Sequence, residues 1–268
     1  MRTIIIYIIL FCLGSTTLYA AKQPPLRVAV IGGMTMSGMW QEVAKAFEEA
    51  YHIPVEVVAS GPKYELDKYC RAHPVDLVTM HSSDTIADLA GDGIVENLTP
   101  WARNSQMIVA DRSNPAGLDA DDSLEHAIQK IGHTNAPMLI HASSGTFEVF
   151  SDISHSYNLK SDHIHLITTK HGFLNDVARL KGYTFFGTIP FLMQKQHHPN
   201  MRGFIFEDKL LRRPYLAAIG TKTNIGATQH QNAQKLLHFL TSKKVQYLIK
   251  NFRIQSFEDT PVFFPVKQ

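Results

Sequence analysis

Four short segments gather the small, hydroxyl-bearing and cationic residues that can hold a negatively charged group. They are 32–38 (Gly-Gly-Met-Thr-Met-Ser-Gly), 60–63 (Ser-Gly-Pro-Lys), 81–83 (His-Ser-Ser) and 141–146 (His-Ala-Ser-Ser-Gly-Thr). Glycine lets the backbone approach a ligand closely. Serine and threonine donate hydroxyl hydrogen bonds, and free N–H groups at a helix start favour negative charge. Any strand-to-helix turn uses the same residue types for positive φ and for capping, so one such segment alone says little. Several of them at the same end of neighbouring strands make a site.

Other chemistries find less support. The 32–38 glycines do not have dinucleotide-fingerprint spacing, and no Gly-Lys-Ser/Thr follows them. Ser37 sits in Met-Ser-Gly and Ser144 in Ser-Ser-Gly-Thr, neither being the Gly-x-Ser-x-Gly elbow of hydrolases. His141, three residues before Ser144, leaves a hydrolase as an alternative. The chain has 14 histidines, among them His163 with His165 and His197 with His198, but no His, Cys and carboxylate set has zinc-site spacing. Neither a metal nor a cofactor is expected.

These segments need a scaffold. With 44% hydrophobic and 19% charged residues, the 268-residue chain has the composition of a globular protein with a real core, which excludes disordered and fibrous classes. Arg2, the apolar run 4–13 and the small Ala20 read as a secretory signal over 1–20, cut after Ala20; the apolar run is half the length of a membrane span. Phe11 before Cys12 disfavours lipidation. Removing 1–20 takes away Arg2 and no acid, leaving 25 basic against 24 acidic residues from the original 26 and 24, a net charge of +1. No field of that size calls for nucleic acid or an anionic membrane. Cys70 is then the single cysteine, so no internal disulfide forms.

Short β-branched runs alternate with helical spacing, the pattern of βαβ units around a mostly parallel sheet. Strands are expected over 26–31, 55–59, 75–80, 107–111, 137–140, 164–168, 183–186 and 215–219. Helices are expected after Ser37 as cap, over 63–71, 84–90, from an Asp122/Glu125 capping pair to 131, and over 146–157, 173–181, 229–240 and 243–252, with Ser242 as the cap between the last two. So many strands crowd one open sheet, which argues for two lobes.

From about residue 26 to the end, the chain resembles the tungstate-type members of the periplasmic solute-binding superfamily, the receptors of ABC importers. The matching stretches are 37–49 (Ser-Gly-Met-Trp-Gln-Glu-Val-Ala-Lys-Ala-Phe-Glu-Glu), 60–63, 76–81 (Asp-Leu-Val-Thr-Met-His), 114–117 (Asn-Pro-Ala-Gly), Ala136 and Pro137 leading to Ser144, Gly145 and Thr146, then 182–184 (Gly-Tyr-Thr), 213–215 (Arg-Pro-Tyr) and 239–242 (Phe-Leu-Thr-Ser). The resemblance implies a two-lobed α/β fold, each lobe a mixed, mostly parallel sheet flanked by helices. Lobe 1 would be 21–106 plus 215–268 and lobe 2 would be 107–214, joined by crossing strands near 107–111 and 213–219. It implies a periplasmic monomer without catalytic residues that captures a small oxyanion between the lobes and delivers it to an ABC permease.

Carried over by position, Thr35, Ser37, Lys63, Ser144 and Thr146 face the cleft, and Gly33, Gly145 and Thr184 add backbone or hydroxyl contacts. The family's threonine and serine run after the first strand reads Ile31, Gly32, Gly33, Met34 here, and its arginine before the Ser-Gly-Thr turn is Ile140. His141 is the neighbour able to supply positive charge. Within the same fold, a receptor for an organic acid or metal complex, or a sensory module, remain alternatives, as does an exported hydrolase built on Ser144 and His141. Edman sequencing of the protein from an osmotic-shock fraction is expected to start near Ala21; an intact Met1 in the membrane pellet would contradict the signal.

Overall fold

The computed structural model describes residues 23–266 apart from 143–144, 158, 160–163, 169–172, 256 and 258–259; the signal over 1–20 and Ser144 lie outside the described residues. In chain order the elements are β1 (Leu26–Ile31), α1 (Gly32–Met36), α2 (Met39–Tyr51), β2 (Val55–Gly61), α3 (Lys63–Ala72), β3 (Leu77–His81), α4 (Asp84–Gly91) and β4 (Val95–Asp111). There follow α5 (Leu124–Gly132), β5 (Met138–His141), α6 (Gly145–Ser156), β6 (Ile164–Ile167), α7 (Phe173–Arg179), β7 (Tyr183–Gly187), α8 (Thr188–Gln194) and β8 (Met201–Phe204). The chain closes with β9 (Arg212–Gly220), α9 (Lys222–Ile225), α10 (Ala227–Leu240), α11 (Lys243–Asn251) and β10 (Phe263–Pro265).

β1 is almost continuously apolar because both its faces are covered, and it pairs in parallel with β2 on one side and β3 on the other. β9 then lies antiparallel between β3 and β4. β4 is the long strand of the molecule. Val95 to Ser105 pair with β9, and Gln106 onward pairs with β7 and β8, so the strand changes partners between Ser105 and Gln106. Beyond β7 the parallel strands β5 and β6 complete the second wing. The fold is thus mixed α/β, with parallel strands in both wings flanked by helices and antiparallel pairs where β4 and β9 cross the middle.

Alternation along β4 separates two cores. Met107 and Val109 pack in a cluster that includes Phe173, Leu174, Val177, Ile189 and Phe191 of α7 and α8, whereas Ile108 and Ala110 join Leu124, Ile128, Val149 and Ile153 of α5 and α6. In the first wing α2 buries Met39, Trp40, Val43 and Phe47, and Trp40 meets Trp101 of β4 edge-on at 6.1 Å. Asp76, wholly buried just before β3, is satisfied by Arg27 of β1 through a bidentate pair, Nε to Oδ2 at 3.1 Å and Nη2 to Oδ1 at 2.9 Å, and by the Arg27 backbone N–H at 2.7 Å.

Three local expectations are corrected. Ser37 does not cap α2: the segment 32–36 itself winds into α1, so Ser37 closes that helix with Oγ donating to Met34 O at 3.2 Å, and Gly38 at φ 84° starts α2. The α5 cap is Ser123, whose Oγ accepts from His126 N at 3.1 Å, while Asp122 takes Lys130 Nζ at 2.8 Å. The strand expected over 107–111 begins at Val95; its first part, paired with β9 through two register shifts, is too polar for an apolar rhythm to announce it. Ser242 caps α11 as expected, accepting from Val245 N. Among the described residues no helix is long and apolar enough to cross a membrane.

Cys70 is buried on α3, and burial, reinforced by Asp67, pushes its thiol up to about 12. Thiolate is the reactive form, so a disulfide reagent at pH 8 should label Cys70 only after unfolding. Cys70→Ser should keep ligand affinity and cost about 1–2 kcal/mol in urea melts, the scale of one poorly satisfied buried hydroxyl.

Candidate ligand-binding cleft

A cavity of about 1120 Å³ opens where the two wings face each other. The first wing contributes Gly33 of α1, Lys63 and Asp67 of α3 and His81 at the end of β3. The second contributes His141 at the end of β5, Gly145, Thr146 and Glu148 of α6, Phe173 of α7 and Phe186 of β7. The crossing strands supply the floor, Asn104 and Gln106 from β4 and Arg213 and Tyr215 from β9. Strand ends and helix starts meet there, which is where open α/β sheets collect ligands.

The charges are organised around one carboxylate. Arg213 Nη2 donates to Glu148 Oε2 at 2.7 Å, and Lys63 Nζ lies 3.6 Å from Glu148 Oε1. The guanidinium reaches the start of α6 because residue 145 is glycine: a Cβ there would collide with Arg213 Nη1. Burial holds Lys63 below the ordinary lysine range, Glu148 opposes that shift and Arg213 adds to it. The third cation of the lining, Arg71, is already committed to Asp67 at 2.8 Å and Asp92 at 2.6 Å.

Apart from Arg213, the floor and the His81 beside it are polar and uncharged. His81 Nε2 sits 3.2 Å from Asn104 Oδ1, and its ring lies against Tyr215 with centroids 4.2 Å apart. Burial, with help from the positive charge of Arg213, pushes the imidazole down to about 3, so it is neutral at physiological pH and Nε2 carries the proton given to Asn104. Tyr215 is fully buried and burial raises its phenol far above the usual range; its Oη has no well-formed hydrogen bond, Asn104 exerting a weak pull. Gln106 Oε1 is likewise buried without a partner. Two unsatisfied polar atoms beside one cavity are what a ligand or bound water would complete.

Of the residues expected at the site, Gly33, Lys63, His141, Gly145 and Thr146 line the cleft. Thr35, Ser37 and Thr184 do not. Thr35 Oγ1 donates to Gly32 O and shares a 2.7 Å hydrogen bond with Ser60 Oγ, which ties the turns after β1 and β2 together. Thr184 is wholly buried within β7, its hydroxyl donating to Phe185 O at 3.1 Å. Ser144 lies outside the described residues.

Asn104, Gln106 and Glu148 were not singled out from sequence, and Arg213 and Tyr215 entered only as part of the Arg-Pro-Tyr stretch of the resemblance, not as site residues. The available signal was the polar run Asn104-Ser105-Gln106, buried inside a strand that continues as Met-Ile-Val-Ala, and an arginine opening β9. Among the described residues no three His, Cys, Asp or Glu side chains are arranged to hold a metal ion.

No curated protein sequence matches this one significantly. Among solved structures, the fold is similar to a tungstate-binding protein, TupA, from Desulfovibrio alaskensis G20, at a TM-score of 0.76 and 20% identity over 92% of this chain and 100% of that one. It is also similar to a tungstate ABC transporter protein from Geobacter sulfurreducens, at 0.68 and 19% over 85% and 98%. A third is the CcmR regulatory domain of Synechocystis PCC6803 in complex with 2-PG, at 0.53 and 12% over 82% and 99%. At these identities the likeness is one of fold. The family profile described as bacterial extracellular solute-binding protein matches residues 26–252, so the chain belongs to that family.

Proposed function

We propose that the protein is the exported receptor of an ABC importer and that it captures a small oxyanion in the cleft, with tungstate and molybdate as the first ligands to test. In this reading lobe 1 is 21–106 plus 215–268, lobe 2 is 107–214, and the partner change in β4 marks the join. The observation that carries the reading is Arg213. The family's arginine is absent from the position of Ile140, yet a guanidinium from β9 stands at the start of α6 beside Lys63. A planar fork of donors, a second cation and the N-terminus of a 12-residue helix converge there, and each favours an oxyanion. Tyr215 Oη adds a hydroxyl that still lacks a good acceptor.

The volume of the cleft and its Phe173 and Phe186 walls favour a second reading, an organic acid with an apolar body, since a tetrahedral oxyanion fills only a small part of such a space. Neither reading assigns catalysis. A thermal-shift screen with tungstate, molybdate, sulfate, phosphate and small carboxylates separates them, because a ligand selective for the native state raises the melting temperature.

Arg213→Gln should weaken the best oxyanion by at least about tenfold in calorimetric titration, because the charged donor is lost from a partly desolvated site. Gly145→Ala should weaken it as well, by forcing the guanidinium off the helix start. Unchanged affinity in both would remove the anion site from this position.

His81 gives a stability prediction with a definite sign. Between about 6.5 and 3 the unfolded chain takes up a proton that folded His81 refuses, so stability should fall as the pH is lowered through that window. In urea melts from pH 7 to pH 4, His81→Gln should reduce this slope relative to wild type.

A further inference from the structure

We propose that Glu148 sets the ligand charge that the cleft accepts: by sharing Arg213 and Lys63 with the bound anion, it turns a doubly positive site into a singly positive one that favours a monoanion over a dianion of the same shape. The inference rests on the anion-binding reading above and narrows it.

Three observations carry it. Both cations of the cleft outside the Arg71 group already face the same carboxylate, through Glu148 Oε2 at 2.7 Å and Glu148 Oε1 at 3.6 Å. Glu148 belongs to the first turn of α6, so its charge also offsets the positive end of the helix that would otherwise attract an anion. Elsewhere in the lining, Arg71 is bound by Asp67 and Asp92, and burial disfavours the charged forms of His81 and His198, leaving His141 as the remaining imidazole.

The Glu148 side chain itself remains more than half exposed. It therefore resembles a tethered counter-ion rather than a buried structural group. Lys63, Arg213 and Glu148 together carry a charge of +1. A monoanion arriving beside them leaves the group neutral, whereas a dianion leaves an excess negative charge in a partly desolvated place, which costs binding free energy.

Tungstate and perrhenate test this, being tetrahedral oxyanions of nearly the same size that carry two charges and one. Both are titrated calorimetrically into wild type, Glu148→Gln and Glu148→Asp, with circular dichroism and melting temperature recorded for each. Glutamine keeps one acceptor oxygen for Arg213, removes the charge and puts an amide NH2 where the second oxygen faces Lys63. The expected result is that wild type binds perrhenate at least as tightly as tungstate, that Glu148→Gln shifts the affinity ratio toward tungstate by about tenfold or more, and that Glu148→Asp keeps the ratio within a few fold of wild type.

A folded Glu148→Gln protein that binds both anions with an unchanged ratio overturns the inference and leaves the anion site standing. An equal loss for both anions also overturns it, because Glu148 would then act only by positioning Arg213. If neither anion binds any of the three proteins, the oxyanion reading fails and this inference fails with it.

Discussion

The structure depends on one strand belonging to two sheets. β4 must satisfy β9 along its first part and β7 and β8 along its last, in a single unbroken backbone, and the floor of the cleft is the stretch where it changes allegiance. A buried relay fixes this crossing: Trp101 Nε1 donates to Thr79 Oγ1 at 2.8 Å, which donates to Leu216 O at 3.0 Å. One residue from each of β4, β3 and β9 is thereby tied together. Asn104 and Tyr215, on the neighbouring strands β4 and β9, stand beside each other in the floor only if this three-strand register holds.

Around that floor the electrostatics are arranged by neutralisation more than by accumulation of charge. Arg71 is tied up by its own aspartates, His81 is denied its proton, and the two cations left near α6 share a glutamate. Burial is the leading influence on Lys63 and His81, whereas Arg71 is governed by its hydrogen bonds to Asp92 and Asp67. A site of this kind relies on directed donors at short range, and a small difference in ligand charge or shape changes its balance.

Where one physical rule dominates, the elements were legible in the sequence. β1 is a two-faced apolar strand, α2 carries its core residues at helical spacing, and Ser242 does cap α11. The turns at 32–38, 60–63 and 141–146 were recognisable because several small and hydroxyl-rich segments recur at strand ends, and Gly33, Lys63, His141, Gly145 and Thr146, far apart in sequence, come together in the cleft. Legibility ended where tertiary context decides. The choice between Ser37 and Gly38, or Asp122 and Ser123, depends on what the preceding segment does, and the first part of β4 is held by partners that no local pattern announces. Thr184 was expected at the cleft only by its position in the resemblance, and its hydroxyl is instead satisfied by its own neighbour's carbonyl inside the sheet.

The alternation of Met107, Ile108, Val109 and Ala110 between two cores also limits how this protein can change over evolutionary time. Adding or removing one residue near Gln106 would send each of these side chains to the opposite face: an insertion pushes methionine into the space of isoleucine, and a deletion leaves alanine in that of valine. A length change in the exposed turn beyond Asp111 carries no such penalty. Descendants of this sequence are therefore free to change length at the end of β4 away from the cleft, whereas the floor can be altered only by substitution.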